Sequence, residues 1–259
     1  MNLIIISAAV IGIIGIIIAA ALNFAGDKFY VEPNEKANQI RELLPGNNCG
    51  GCGYAGCDAL ADAITAGKAQ PNGCPMCTNV EQISSICGVA AQAKEKKVAF
   101  VACIGDCDRA SKAGVYSGFQ DCAAAKAVQQ NGGKACKYGC MGFGSCVKAC
   151  PFGAMRIHNG IAVVQEQLCT GCGQCVKACP NHLISLIPAG TTVRINCSSP
   201  EKGMKVKQVC TAGCLGCGIC EKNCPHQAIA MDDSLPVIDY HLCTDCGTCA
   251  GKCPVKVIR

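Results

Sequence analysis

Cysteine dominates the chemistry open to this chain: 27 of its 259 residues carry a thiol, most of them two or three residues apart in a fixed phase. The pattern C-x2-C-x2-C-x3-C-P occurs at Cys214, Cys217, Cys220 and Cys224-Pro225, and again at Cys243, Cys246, Cys249 and Cys253-Pro254. Such spacing wraps three thiolates round one face of a cube, and the Cys-Pro step turns the chain toward a neighbouring cube. The motifs therefore predict two [4Fe–4S] clusters, one on Cys214, Cys217, Cys220 and Cys253, the other on Cys243, Cys246, Cys249 and Cys224. Zinc accounts for C-x2-C pairs, but not for the third cysteine or the trailing proline. Disulfides fit poorly: the chain is long, the count is odd, and such close neighbours rarely have the separation a bridge needs.

The cysteine pattern is duplicated. A shift of 74 residues lays Cys136, Cys140, Cys146 and Cys150 on Cys210, Cys214, Cys220 and Cys224. The same shift lays Cys169, Cys172, Cys175 and Cys179 on Cys243, Cys246, Cys249 and Cys253. An ungapped match of this kind marks an internal repeat. In the first copy Cys169, Cys172, Cys175 and Cys150 are expected to hold one cluster. The other half is altered, because Phe143 stands where the second copy has Cys217. Cys136 is the expected replacement, giving Cys136, Cys140, Cys146 and Cys179, with Cys210 then a non-ligand. A three-cysteine centre, leaving Cys136 for another cluster, is the alternative.

A third motif lies upstream, Cys49-x2-Cys52-x4-Cys57-x16-Cys74. Gly50, Gly51, Gly53 and Gly56 let the backbone fold tightly and offer N–H groups to sulfur. These four cysteines predict a fifth [4Fe–4S] site. The G-x-G-x-x-G spelled by residues 51–56 follows a helix rather than a strand, so it reads as an accident. Seven cysteines remain. Cys77, Cys87 and Cys197 read as small buried hydrophobes, and Cys210 as the non-ligand above. Cys103-x3-Cys107 with Cys122, joined by Cys136, could hold a sixth cluster. His158, His182, His226 and His241 sit at unrelated places in the repeats and read as surface or hairpin residues.

The elements that must position these thiols are short. Pro33 to Leu44 has helical periodicity, with Pro45-Gly46 as its stop, and a second helix runs from about Asp58 to Ala66. Lys97 to Val101 reads as a strand. Met155 to His158, the turn Asn159-Gly160 and Ile161 to Val164 form a hairpin, and the second copy has Ile229 to Met231 and Val237 to Asp239 instead. Leu3 to Leu22 is twenty residues without a charge, the length of a membrane span. Met1-Asn2 gives no positive n-region, which argues against a cleaved signal peptide. Cluster thiolates need a reducing compartment, so the N-terminus is expected outside and everything after Asp27 on the cytoplasmic side. The expected architecture is α+β, built of small cluster-centred units. It comprises a transmembrane anchor (1–26), an α-helical [4Fe–4S] module (27–95), a connector (96–135), and two tandem bacterial-type 2[4Fe–4S] ferredoxin-like modules (136–188 and 210–259) joined by a linker (189–209).

Composition agrees. With no Trp and 4% aromatic residues, no single large core is expected. The formal charge of +5 is scattered, with no basic stripe, which gives nucleic-acid binding little support. No nucleotide site is evident, so the chain is not expected to reduce a nicotinamide by itself.

The order of parts (membrane helix, C-x2-C-x4-C-x16-C module, run of ferredoxin modules) resembles the B subunit of Rnf-type ion-translocating oxidoreductase complexes over essentially the whole chain. The duplicated unit and Phe143 are departures from members with one ferredoxin module. The resemblance implies a membrane-complex subunit that takes electrons from reduced ferredoxin. It would relay them to partner subunits that carry flavins and a nicotinamide site and that pump Na+ or H+.

Overall fold

The computed structural model describes residues 2–28, 34–89, 95–128 and 131–259. The chain begins with helix α1, Asn2–Lys28. Its described side chains, Ile6 and residues 12–24, are all exposed. That described stretch is shorter than the roughly 20 residues of a span. Among the described residues no helix is long and apolar enough to cross a membrane.

Three helices form the first packed unit: α2 (Glu35–Leu43), α3 (Cys57–Thr65) and α4 (Val80–Cys87). The expected Pro33 start lies outside the described residues. Asn34 caps α2, its side chain accepting from the Lys36 and Ala37 N–H groups at 3.2 and 3.4 Å. The helix ends before Pro45, which biases Leu44 to its extended conformation (ψ 151°). Ile40, Leu44, Leu60, Ile64 and Ile83 bury one common core with Cys57. Helix α4 has no expectation behind it. Its apolar periodicity covers only two turns, and Ile83 alone on it is fully buried.

The rest of the chain consists of β1 (Lys97–Val101), α5 (Cys122–Ala127), α6 (Ser145–Lys148), β2 (Met155–His158), β3 (Ile161–Val164), α7 (Gln174–Ala178), β4 (Ile184–Pro188), α8 (Met204–Val209), α9 (Ile219–Lys222), β5 (Ile229–Asp232), β6 (Leu235–Ile238) and α10 (Thr248–Lys252). Strands β2 and β3 pair through Asn159 and Gly160, both at positive φ as a type I′ turn requires. β5 and β6 also pair antiparallel, joined by Asp233 and Ser234, of which Asp233 alone is at positive φ. The duplication reaches the backbone. Left-handed residues Gly142, Gly144, Gly153, Asn159, Gly171, Gly173 and His182 recur 74 residues on at Gly216, Gly218, Gln227, Asp233, Asp245, Gly247 and Lys256.

Each copy is closed by a segment that precedes its own first motif. β1 pairs antiparallel with β4, Val101 opposite Ile184. In the second copy Ile195 pairs with Ile258, the repeat equivalent of Ile184. Residues 97–101 and 193–196, placed in the connector and the linker on sequence grounds, therefore pack into the two ferredoxin-like units. Cysteine supplies a substantial minority of each core, Cys103, Cys140, Cys146, Cys169 and Cys175 in the first and Cys214, Cys220, Cys249 and Cys253 in the second, among aliphatic residues.

Candidate metal centres

All 27 cysteines are free thiols, and 19 of them line five cavities. Cys150, Cys169, Cys172 and Cys175 line one cavity of the first unit. Cys214, Cys217, Cys220 and Cys253 line one in the second. Cys249 lies within electrostatic reach of Cys224 and Cys243, and Cys246, the second cysteine of the same motif, is exposed. In each run a glycine in the left-handed conformation (Gly173, Gly218 or Gly247) starts a helix that carries the third cysteine. The loop before that helix is thereby folded back on itself, and the motif's thiols face one space.

The donor chemistry fits iron–sulfur clusters. Sulfur accepts backbone N–H groups at Cys169 from Ala99 (3.3 Å), Cys140 from Ala162 (3.3 Å), Cys179 from Leu183 (3.4 Å) and Cys224 from Ala228 (3.3 Å). Such donors stabilise negative charge on cluster thiolates. Burial pushes the Cys146 thiol up to about 12, and the Cys140, Cys122 and Cys179 thiols beside it add to the shift. Burial likewise lifts Cys175 and Cys214 to about 11. Crowded buried thiols resist ionisation until a cation offsets their mutual repulsion, which is the job of iron. Among the described residues no group of three or more Cys, His, Asp or Glu side chains could hold a single metal ion.

The altered half of the first unit departs from expectation. Its cavity is lined by Cys122, Cys140, Cys146 and Cys179, and Cys136 is not among them. Asp121 caps α5 by accepting from the Ala123 and Ala124 N–H groups at 2.9 and 3.1 Å. The Ser145 hydroxyl donates to Asp121 at 2.8 Å and accepts from the Cys122 N–H at 2.9 Å, tying the start of α5 to the start of α6. The Ala124 N–H first, then the Ser145 hydroxyl, hold the Asp121 carboxyl below the usual carboxylate range. Phe143 stacks on Tyr116, ring centroids 5.2 Å apart. The site thus recruits a thiol from far up the chain, where no local spacing signals it. The substitution at Phe143 was the only sign that a ligand had to come from elsewhere.

Cys136 lines a separate cavity with Cys103, Cys197 and Cys210. The set Cys103, Cys107, Cys122 and Cys136 is therefore split three ways. Cys107 is exposed beside the β2–β3 turn, where its N–H donates to the Asn159 carbonyl at 3.0 Å. His158, His182, His226 and His241 are all exposed.

In the upstream module Cys52 and Cys74 line one cavity together with Cys77, and both pack against the core cluster that contains Cys57. Cys77, read as a small hydrophobe, is close enough to Cys74 to raise that thiol further, after burial. The Cys49 carbonyl accepts from the Gln174 side chain of α7, so this loop sits on the first ferredoxin-like unit. Gly51 makes the closest approach: a Cβ there would stand 2.8 Å from the Cys172 Cβ. Gly51→Val is accordingly expected to destabilise the docked state by about 1–3 kcal/mol. It should also slow electron exchange between the two units while leaving iron content unchanged. Stopped-flow reduction of the folded variant checks this, and wild-type rates would contradict it.

Helix-borne cysteine loops, two-stranded hairpins and cysteine-ringed cavities define a multi-centre iron–sulfur protein of ferredoxin type. A family model described as "Putative Fe-S cluster" matches residues 44–76. Two models described as "4Fe-4S dicluster domain" match 135–184, and 168–228 with 213–257. The B subunit of the proton-translocating ferredoxin:NAD(+) oxidoreductase complex of Clostridium ljungdahlii is 44% identical over all of this chain and 93% of its own length. The Na(+)-translocating counterpart of Acetobacterium woodii is 38% identical over all of this chain and 78% of its own length. The B subunit of the ion-translocating oxidoreductase complex of Methanosarcina acetivorans is 39% identical over 98% of this chain and 97% of its own length. The chain belongs to this family of B subunits.

Proposed function

We propose that this chain is the electron-relay subunit of a membrane complex that couples ferredoxin:NAD electron transfer to translocation of Na+ or H+. A soluble reduced ferredoxin is the donor, and other subunits of the complex supply the flavins, the nicotinamide site and the ion path. The chain acts as part of an oxidoreductase translocase and carries no complete catalytic site of its own. The observation that carries this reading is the succession of cysteine-ringed cavities. The Gly51 loop touches Cys172, and Cys175 of that cavity is within reach of Cys146 of the next. A [4Fe–4S] cluster bound at such thiols carries one electron at a time. The protein's own part is to hold the thiolates, offer N–H groups to sulfur and keep adjacent sites in contact.

Five ligand sets follow: Cys49, Cys52, Cys57 and Cys74; Cys150, Cys169, Cys172 and Cys175; Cys122, Cys140, Cys146 and Cys179; Cys214, Cys217, Cys220 and Cys253; and Cys224, Cys243, Cys246 and Cys249. The apolar run of α1 is the anchor, with the cluster units on the cytoplasmic side.

Deletion of residues 2–28 tests the relay. The truncated chain is expected to be bleached by reduced ferredoxin under anaerobic conditions. It should leave the membrane fraction and no longer support membrane-coupled ferredoxin oxidation. Full coupled activity in that variant would sink the anchored-relay reading.

A further inference from the structure

We propose that Cys103, Cys136, Cys197 and Cys210 hold a further [4Fe–4S] cluster at the junction of the two ferredoxin-like units. The inference rests on the relay reading for its role, but on its own geometry for its existence. The four cysteines line a single cavity although they come from four separate stretches of chain. Cys136 and Cys210 lie within electrostatic reach of each other, and each is within reach of Cys103 and Cys197.

The backbone around them is cut for sulfur. A Cβ at Gly105 would stand 3.3 Å from the Cys210 Sγ and 3.7 Å from the Cys103 Sγ. A Cβ at Gly139 would stand 3.4 Å from the Cys136 Sγ and 3.7 Å from the Cys103 Sγ. Three of the four sulfurs also accept a backbone N–H: Cys103 from Cys140 at 3.4 Å, Cys136 from Tyr138, and Cys210 from Ala212. Donors of the same kind serve the motif cysteines. The Lys134 ammonium borders the cavity while donating to the Gly105 and Gly160 carbonyls at 2.9 and 2.8 Å. It places positive charge beside thiolates that would bear a net negative cluster. A single zinc ion does not fit, because among the described residues no three such side chains could share one ion.

The duplication explains the ligand set. Cys136 and Cys210 are repeat equivalents. Cys103 and Cys197 are equivalents in structure: each lies two residues past the residue, Val101 or Ile195, that pairs with Ile184 or Ile258. Each unit thus contributes one cysteine from just past its closing segment and one from the start of its first motif. The site has local two-fold character and belongs to neither unit alone. On one side the Cys103 sulfur is bonded by the Cys140 N–H of the neighbouring cavity; on the other, Cys197 lies within reach of Cys214. One electron arrives from the centre on one flank and one leaves to the centre on the other. No atom is transferred. The centres of the two units become a continuous path.

The test is iron and acid-labile sulfide on the anaerobically purified full chain. Wild type is expected to carry about 24 iron atoms, whereas Cys136→Ala and Cys197→Ala each lose about four irons and four sulfides. Cys87→Ala, whose sulfur borders none of these cavities, is expected to lose none. Folded alanine variants that keep wild-type iron and sulfide would overturn the proposal. Should a variant fail to fold, the wild type decides: iron for six clusters supports the site, and about 20 atoms or fewer overturns it. A wild type with no iron at all would instead bring down the relay reading.

Discussion

Removing iron and sulfide from the chain is expected to abolish its cooperative unfolding transition, not merely lower it. The largest fully buried side chains among the described residues are Ile40, Leu60, Ile83, Val98, Val206 and Val257, none of them aromatic. Buried cysteines make up a substantial part of the two ferredoxin-like cores, and their hairpins have only four residues per strand. Two-stranded hairpins of that length are marginal on their own in water. Where ligands converge only in the folded state, metal binding free energy is folding free energy. Without clusters, the thiols of Cys146, Cys175 and Cys214 are left buried around space, with no partner to hold the loops that carry them. Calorimetry or circular dichroism on anaerobically chelated protein checks this. A sharp transition near the temperature of the cluster-loaded protein would show that apolar packing suffices.

Cys122→Ala is expected to remove about one cluster, four irons and four sulfides, and to leave the others in place. The geometry makes the expectation specific. Cys122 is held at its cavity by the Ser145 hydroxyl and the Asp121 cap, and no other cysteine lines that space beyond Cys140, Cys146 and Cys179. The duplication offers a rescue: Phe143 occupies the repeat position of Cys217, so Cys122→Ala combined with Phe143→Cys should regain the lost iron. Loss of the Tyr116 stacking partner makes some destabilisation of the double variant expected, but not renewed loss of iron. Iron unchanged in Cys122→Ala would show that the altered half closes with three thiolates.

Much of this protein is legible in the residues alone. Close-spaced thiols cannot avoid one another, so C-x2-C-x2-C predicts three ligands of a centre from chain geometry, and the 74-residue repeat duplicates the result. The Asn159-Gly160 turn, the hairpin it joins and the strand at 97–101 are readable for the same reason: their signals are local. The second hairpin's return strand instead starts at Leu235, two residues before the expected Val237.

The fourth ligand is a different matter. It is delivered by contacts between segments far apart in the chain, and nothing in the spacing around Cys136 says whether it faces Cys140 or Cys103. Residue types and short-range spacing determined that the thiols gather around iron–sulfur cubes and that the unit occurs twice. Tertiary packing alone decided that Cys122 joins Cys146, that Cys136 turns to the junction, and that β1 finds β4. Those choices depend on which distant surfaces bury each other, a property of the folded chain and not of any window within it.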